Sequence, residues 1–179
     1  MSAAEAPASV QGSPFWRFSL RFYRQPKVAD ACIALQEEAG VDVNLLLFLF
    51  WHATLARTLS ATEVAELEGR IATWRKITVI PLRTMRRALK SPPGLVTDPA
   101  AELFRTRIKA VELEAERLQQ EAMYELARSS PLGRTAGSPD EAARVNVAAY
   151  EAMRGTVFPA PVTQTLLAAF SGLERKPEE

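Results

Sequence analysis

Asp42-Val43-Asn44-Leu45-Leu46-Leu47-Phe48-Leu49-Phe50-Trp51-His52-Ala53-Thr54-Leu55-Ala56 is the most apolar stretch of this chain. The fourteen residues from Val43 to Ala56 lie between Asp42 and Arg57, and only Asn44, His52 and Thr54 interrupt them. Crossing a bilayer takes about 20 mostly apolar residues, so the stretch reads as a buried core helix. Asp42 is placed to cap it. A helix apolar on every side must be enclosed by others, which makes this segment the expected centre of the fold.

Every neighbouring segment that shows a period shows the helical one. Upstream, Ser13-Pro14 reads as a cap followed by Pro at the first helical position. Phe15, Trp16, Phe18, Leu20, Phe22 and Tyr23 follow, up to Pro26. These residues partly alternate, so a short strand competes, but no partner strands are evident and helix is preferred. Val28, Ala31, Cys32 and Leu35 line one face of a helix over about Val28 to Ala39 that stops at Gly40.

Downstream, Ser60-Ala61-Thr62-Glu63 matches a capping box. Val64, Leu67, Ile71, Trp74 and Thr78 follow at spacings of three and four, and Pro81 is expected to kink or end that helix. Leu82, Met85 and Leu89 extend the stripe. After the Ser91-Pro92-Pro93-Gly94 break, the longest helix opens at Asp98-Pro99 and runs to about Arg128. Its Phe104, Ile108, Val111, Ala115, Leu118 and Ala122 form a short heptad seam of the kind that pairs two helices. Ser130 to Gly137 reads as a polar loop. Ser138-Pro139-Asp140-Glu141 is a second capping-box pattern, and its Ala-rich helix ends near Arg154-Gly155. Pro159 and Pro161 precede a last amphipathic helix with Val162, Leu166, Leu167, Phe170 and Leu173. The expectation is an all-α, single-domain bundle of about seven helices over residues 14–173, with a disordered arm at 1–13 and a charged tail at 174–179.

At 179 residues, with 22 Lys or Arg against 21 Asp or Glu, the chain suits one core, and the formal charge of +1 argues against a globally electrostatic nucleic-acid binder. One Cys excludes an intrachain disulfide framework, and one His removes most zinc sites. Residues 1–14 carry no Lys or Arg, so they lack the basic start of a secretory signal and the Arg content of a transit peptide. A cytoplasmic protein with Cys32 reduced is expected.

Several blocks carry a resemblance: Phe15-Trp16-Arg17-Phe18-Ser19-Leu20, Ala31-Cys32-Ile33-Ala34-Leu35-Gln36, Gly40-Val41-Asp42-Val43-Asn44-Leu45-Leu46-Leu47-Phe48, Trp74-Arg75 and Pro81-Leu82-Arg83. Together they resemble a family of small conserved bacterial proteins, mostly proteobacterial, of unknown function, over about residues 15–120. The resemblance implies one coherent cytoplasmic domain and carries no catalytic residues across.

Asn44 and His52 are the polar residues of the central helix. Two turns apart, they can face one side and, with Trp51, Trp16 and Trp74, border an aromatic pocket. The alternative is that Asn44 caps or bridges helices and His52 is a satisfied core residue. Arg75, Lys76, Arg83, Arg86, Arg87 and Lys90 place six cations in sixteen residues without an acid. Such a run needs compensation. The acidic stretch Glu112 to Glu125, five Glu against Arg117, can pack beside it; an acidic partner protein or a phosphate-bearing ligand can instead cover it. No Glu-x-x-His elements, glycine-rich phosphate loop or Gly-x-Ser-x-Gly elbow is present, so no metal, cofactor or catalytic residue is assigned.

Three functions remain. The first is a non-catalytic adaptor or regulatory protein that binds a partner protein or itself. The second is a small-molecule-binding protein or enzyme with a pocket around Asn44, His52, Trp51 and Trp74. The third is an anion or RNA binder acting through Arg75, Arg83, Arg86, Arg87 and Lys90.

Overall fold

The computed structural model describes residues 12–91, 94, 96 and 98–174. Most of the expected N-terminal arm (1–11) and of the charged tail (175–179) lies outside the described residues. The fold is all-α: α1 (Pro14–Tyr23), α2 (Val28–Glu38), α3 (Val43–Thr54), α4 (Ala61–Trp74), α5 (Ile80–Ala88), α6 (Asp98–Ser129), α7 (Pro139–Arg154) and α8 (Ala160–Glu174). The one sheet among the described residues is a bridge between β1 (Arg57–Thr58) and β2 (Arg134–Thr135), which pair antiparallel. Part of the expected Ser130–Gly137 loop is therefore ordered against the chain that leaves α3.

Local chemistry sets the helix starts. The Trp16 N–H donates to Ser13 Oγ at 3.1 Å, and the Leu45 N–H donates to Asp42 Oδ1 at 2.9 Å. At α4 both halves of the capping box form between Ser60 and Glu63. At α7 only half forms: the Glu141 N–H donates to Ser138 Oγ at 3.1 Å, while the Glu141 carboxylate takes the Gly137 N–H at 2.8 Å.

Every residue from Asn44 to Ala53 of α3 is buried. Helices α1, α2, α6 and α7 pack around it, and α8 covers α2 and α7. Phe15 meets Phe48 edge-on at 5.4 Å, Phe22 lies 5.0 Å from Phe50, and Phe170 of α8 lies 5.5 Å from Phe50. Each such side chain contributes roughly 1.5–3 kcal/mol through burial. Two buried polar residues tie the ends of α3. Asn146 of α7, fully buried, accepts the Leu59 N–H at 2.7 Å and donates to the Leu49 and Arg57 carbonyls at 3.1 and 3.0 Å. Tyr150 Oη accepts the Asp42 N–H at 2.9 Å.

Two sequence expectations are corrected. Pro81 does not end its helix: α4 runs into a π-helical turn at Arg75–Val79 and then directly into α5. The Ile80 N–H reaches back to the Arg75 carbonyl, five residues away, and Pro81, which has no N–H, sits just beyond as an N-terminal residue of α5. The extra residue in that turn rotates all that follows by about 100°. Val79, rather than Thr78, is therefore buried, and Met85 is 45% exposed. The second correction concerns α6. Of the expected seam only Ala115 is buried, and Phe104, Val111 and Leu118 are exposed. The inward face is instead Ala101, Glu112, Ala115, Gln119, Gln120 and Met123. Glu112 can turn inward because arginines meet it there.

Candidate functional site

The π turn decides which residues of α5 face the bundle. Continuing from buried Ile71, the inward line is Arg75, Val79, Arg83 and Arg86, so cations occupy positions where an uninterrupted helix would carry Leu82 and Met85. The carboxylates they meet come from three helices and one loop. Arg83 donates to Glu112 at 3.1 Å, to Glu116 at 2.6 Å and to the Gln36 amide oxygen at 2.5 Å. Arg86 pairs with Glu112, and Arg87 with Glu37 at 3.2 Å. Arg75 bridges Asp42, at 2.7 Å, and Glu68. Asp42 is thus more than a cap, because its carboxylate also takes the Gln119 amide at 3.1 Å.

Compensation of the basic run is therefore largely internal, but only Glu112 and Glu116 of the acidic stretch supply it. Glu114 and Glu125 pair with Arg117 and Arg128 of their own helix, and Glu121 accepts the Ser13 N–H. Burial raises the Glu112 carboxyl, but hydrogen bonds from Arg86 and Arg83 outweigh it and hold the group below its ordinary range. Glu116 goes the other way, raised chiefly by burial despite Arg83. The Arg86 guanidinium is raised by its bond to Glu112.

Arg83, Arg86, Arg87, Glu37, Glu112 and Glu116 form one wall of a half-open cavity of about 870 Å³ among α1, α2, α3, α5 and α6. Its floor and lip are apolar: Trp16, Leu20, Val43 and Leu47, with Ile33 and Leu113 at the opening. Six cations line it (Arg24, Arg83, Arg86, Arg87, Lys90 and Lys109) against three carboxylates, Glu37, Glu112 and Glu116. Arg24, Lys90 and Lys109 are exposed and have no ion-pair partner among the described residues.

The cavity wall also holds polar groups left unpaired. Trp16 Nε1, Ser19 Oγ and Gln120 Oε1 are buried atoms without a hydrogen-bond partner, on residues that are 5%, 3% and 2% exposed. Gln120 Nε2 donates to Asn44 Oδ1 at 2.7 Å. A buried polar group without a partner costs roughly 1–3 kcal/mol; three such atoms sit on residues of this wall, and Gln119 Oε1 and His52 Nδ1 are two more on residues outside it.

Of the residues singled out in the sequence, Asn44, Arg83, Arg86, Arg87 and Lys90 meet at this cavity. Arg75 lines a smaller neighbouring recess of about 370 Å³ shared with Asn44 and Arg83. His52, Trp51 and Trp74 do not line either. Eight residues along a helix means about 12 Å along the axis and about 80° around it, which carries His52 past the cavity. Its ring stacks on Phe48 at 5.6 Å, and Nε2 lies 3.1 Å from the Leu132 carbonyl. A carbonyl oxygen only accepts, so Nε2–H is the donor, and the same oxygen takes two further bonds from Arg57. Burial lowers the imidazole pKa. Trp51 packs on Phe15 and Tyr124, and the Trp74 indole donates to the Ala115 carbonyl at 3.0 Å.

Ser19, Gln120, Lys109 and Arg24 escaped the sequence reading. Ser19 had a signal, a hydroxyl between Phe18 and Leu20 on a helix that is otherwise apolar there. Among the described residues no group of three or more His, Cys, Asp or Glu is placed to hold a metal ion, and no helix is long and apolar enough to cross a membrane.

The model of one family, described as "Protein of unknown function (DUF2390)", matches residues 14–123. The chain belongs to that family. The matched segment runs from α1 into the last third of α6 and contains every residue that lines the cavity, from Trp16 to Gln120. Helices α7 and α8 lie beyond it. Neither a curated protein nor a solved structure matches the chain.

Proposed function

We propose that the protein is a non-catalytic binding protein for a small amphiphilic anion, whose apolar body lies on Trp16, Leu20 and Leu47 and whose carboxylate or phosphate meets the basic opening. The observation that carries this reading is the coincidence, in one cavity, of unpaired buried polar groups with free cations. Either alone is ordinary. Together they match the usual composition of a small-molecule site, apolar walls with a few convergent polar groups, and the volume of about 870 Å³ suits such a molecule. The ion-paired arginines form the rigid back of the site, while Lys90, Lys109 and Arg24 are left to meet the ligand charge. The regulatory role expected from the sequence then acquires an effector, in a protein expected in the cytoplasm.

The test uses dodecanoate and dodecyl phosphate as probes, with dodecanol as the uncharged control, followed by calorimetry and native mass spectrometry. The expected result is one saturable site per chain for the anions, weakened by salt and at least about tenfold weaker in a Lys90→Glu/Lys109→Glu variant. Equal binding of dodecanol, or anion binding that ignores the double charge reversal, overturns the reading.

A further inference from the structure

We infer that a second copy of the chain docks on the outer face of α6, with the two helices antiparallel about Val111. Phe104, Val111 and Leu118 are 48%, 53% and 44% exposed and recur every seven residues, so they form one stripe about 21 Å long. Trp74 borders it, since its indole is bonded to Ala115. The opposite side of α6, with Glu112, Glu116 and Gln120, belongs to the cavity, so this inference does not rest on the ligand reading.

The charges beside the stripe select the occupant. Arg107 and Glu114 flank it on the same side, one heptad apart, and Arg107 has no ion-pair partner among the described residues. Turning a copy antiparallel about Val111 sets Phe104 against Leu118 of the other copy and Val111 against itself. It also brings Arg107 beside Glu114 of the other copy, twice by symmetry, as an isologous interface requires. A parallel pairing puts like charges at equal height. Slipping the antiparallel pairing by one heptad sets Phe104 opposite Glu125 in one direction and Arg107 beside Arg107 of the other copy in the other. Only the register centred on Val111 satisfies both the apolar stripe and the charges, so the stripe complements itself.

A single-helix interface lies at the small end of specific interfaces, and a dissociation constant on the order of micromolar is expected. Sedimentation velocity of the full chain across that range should show a monomer–dimer equilibrium. Arg107→Glu should weaken it about tenfold or more, and Arg107→Glu/Glu114→Arg should restore it. Register is read by cysteine pairing. Phe104→Cys and Leu118→Cys chains should cross-link when mixed and not when each is oxidised alone. Native Cys32 does not interfere, being buried with its thiol pushed up to about 12. A monomer at every concentration, a dimer indifferent to Arg107→Glu, or self-cross-linking of the Phe104→Cys chain alone overturns the inference.

Discussion

Glu112 and Glu116, one turn apart on α6, share Arg83 and are displaced in opposite directions. Glu112 lies below its unfolded value, so its contribution to stability is complete above the ordinary glutamate range and is lost as pH falls through its folded value. Glu116 lies above, so its contribution is complete below that range and is lost as pH rises through its folded value. Glu112→Gln should cost about 1.5–3 kcal/mol at neutral pH, and that cost should shrink in acid. The stability of Glu116→Gln relative to the parent should instead rise with pH; denaturant titrations between pH 3 and about 7 check both signs. His52, the only histidine, permits a direct measurement. Its lowered pKa leaves it neutral in the fold where an unfolded imidazole gains a proton near pH 6.5. Ring NMR should report the Nε2–H tautomer persisting below that pH, and His52→Gln should flatten the accompanying loss of stability; an imidazole titrating at or above 6.5 would refute the assignment. Asn44 was legible because an amide inside an apolar run has to find a partner. Gln120, which supplies that partner, was not, because nothing near it in the chain marks it as inward.

Helix starts were readable because caps are local chemistry: Ser13, Asp42 and Ser60 act through bonds within three residues. The π turn was not, because its register is set by what Arg75 and Arg83 find across the bundle. The orientation of α6 failed for the same reason. An apolar count sends Glu112 outward, whereas two guanidinium groups hold it in. The β1–β2 bridge hangs on Gly133, which adopts φ +71° with its Cα so close to β1 that a Cβ would stand 2.1 Å from the Thr58 carbonyl oxygen. Gly133→Ala should therefore cost more than the roughly 1–2 kcal/mol of a left-handed L-residue alone, measurable as a drop in Tm. Within α3, Leu49→Ala should cost about 2–5 kcal/mol, since Leu49 is fully buried.

The whole molecule divides into a dense centre and a thin arm. Helix α5 buries no residue, and the N-terminal third of α6 buries only Ala101. Amides of Leu46 to Phe50 should exchange hydrogen only through global unfolding, and those of α5 through local opening with far weaker protection; equal protection in hydrogen-exchange mass spectrometry would contradict this division. The charge total hid the layout because it sums a paired wall and a free opening into one small number. The π turn at Arg75–Val79 links the two regions, and it works as a phase shifter. One extra residue decides whether α5 shows the interior its guanidinium groups or its methyl and thioether groups. An uninterrupted helix of the same sequence would turn Arg83 and Arg86 aside and leave Glu112 and Glu116 unopposed, whereas deleting Thr78 would regularise the turn and keep both arginines inward. In the uninterrupted helix of unchanged sequence the back wall would keep its carboxylates without their guanidinium partners, so one residue of helical phase sets the sign of the charge that α5 and α6 present to the interior.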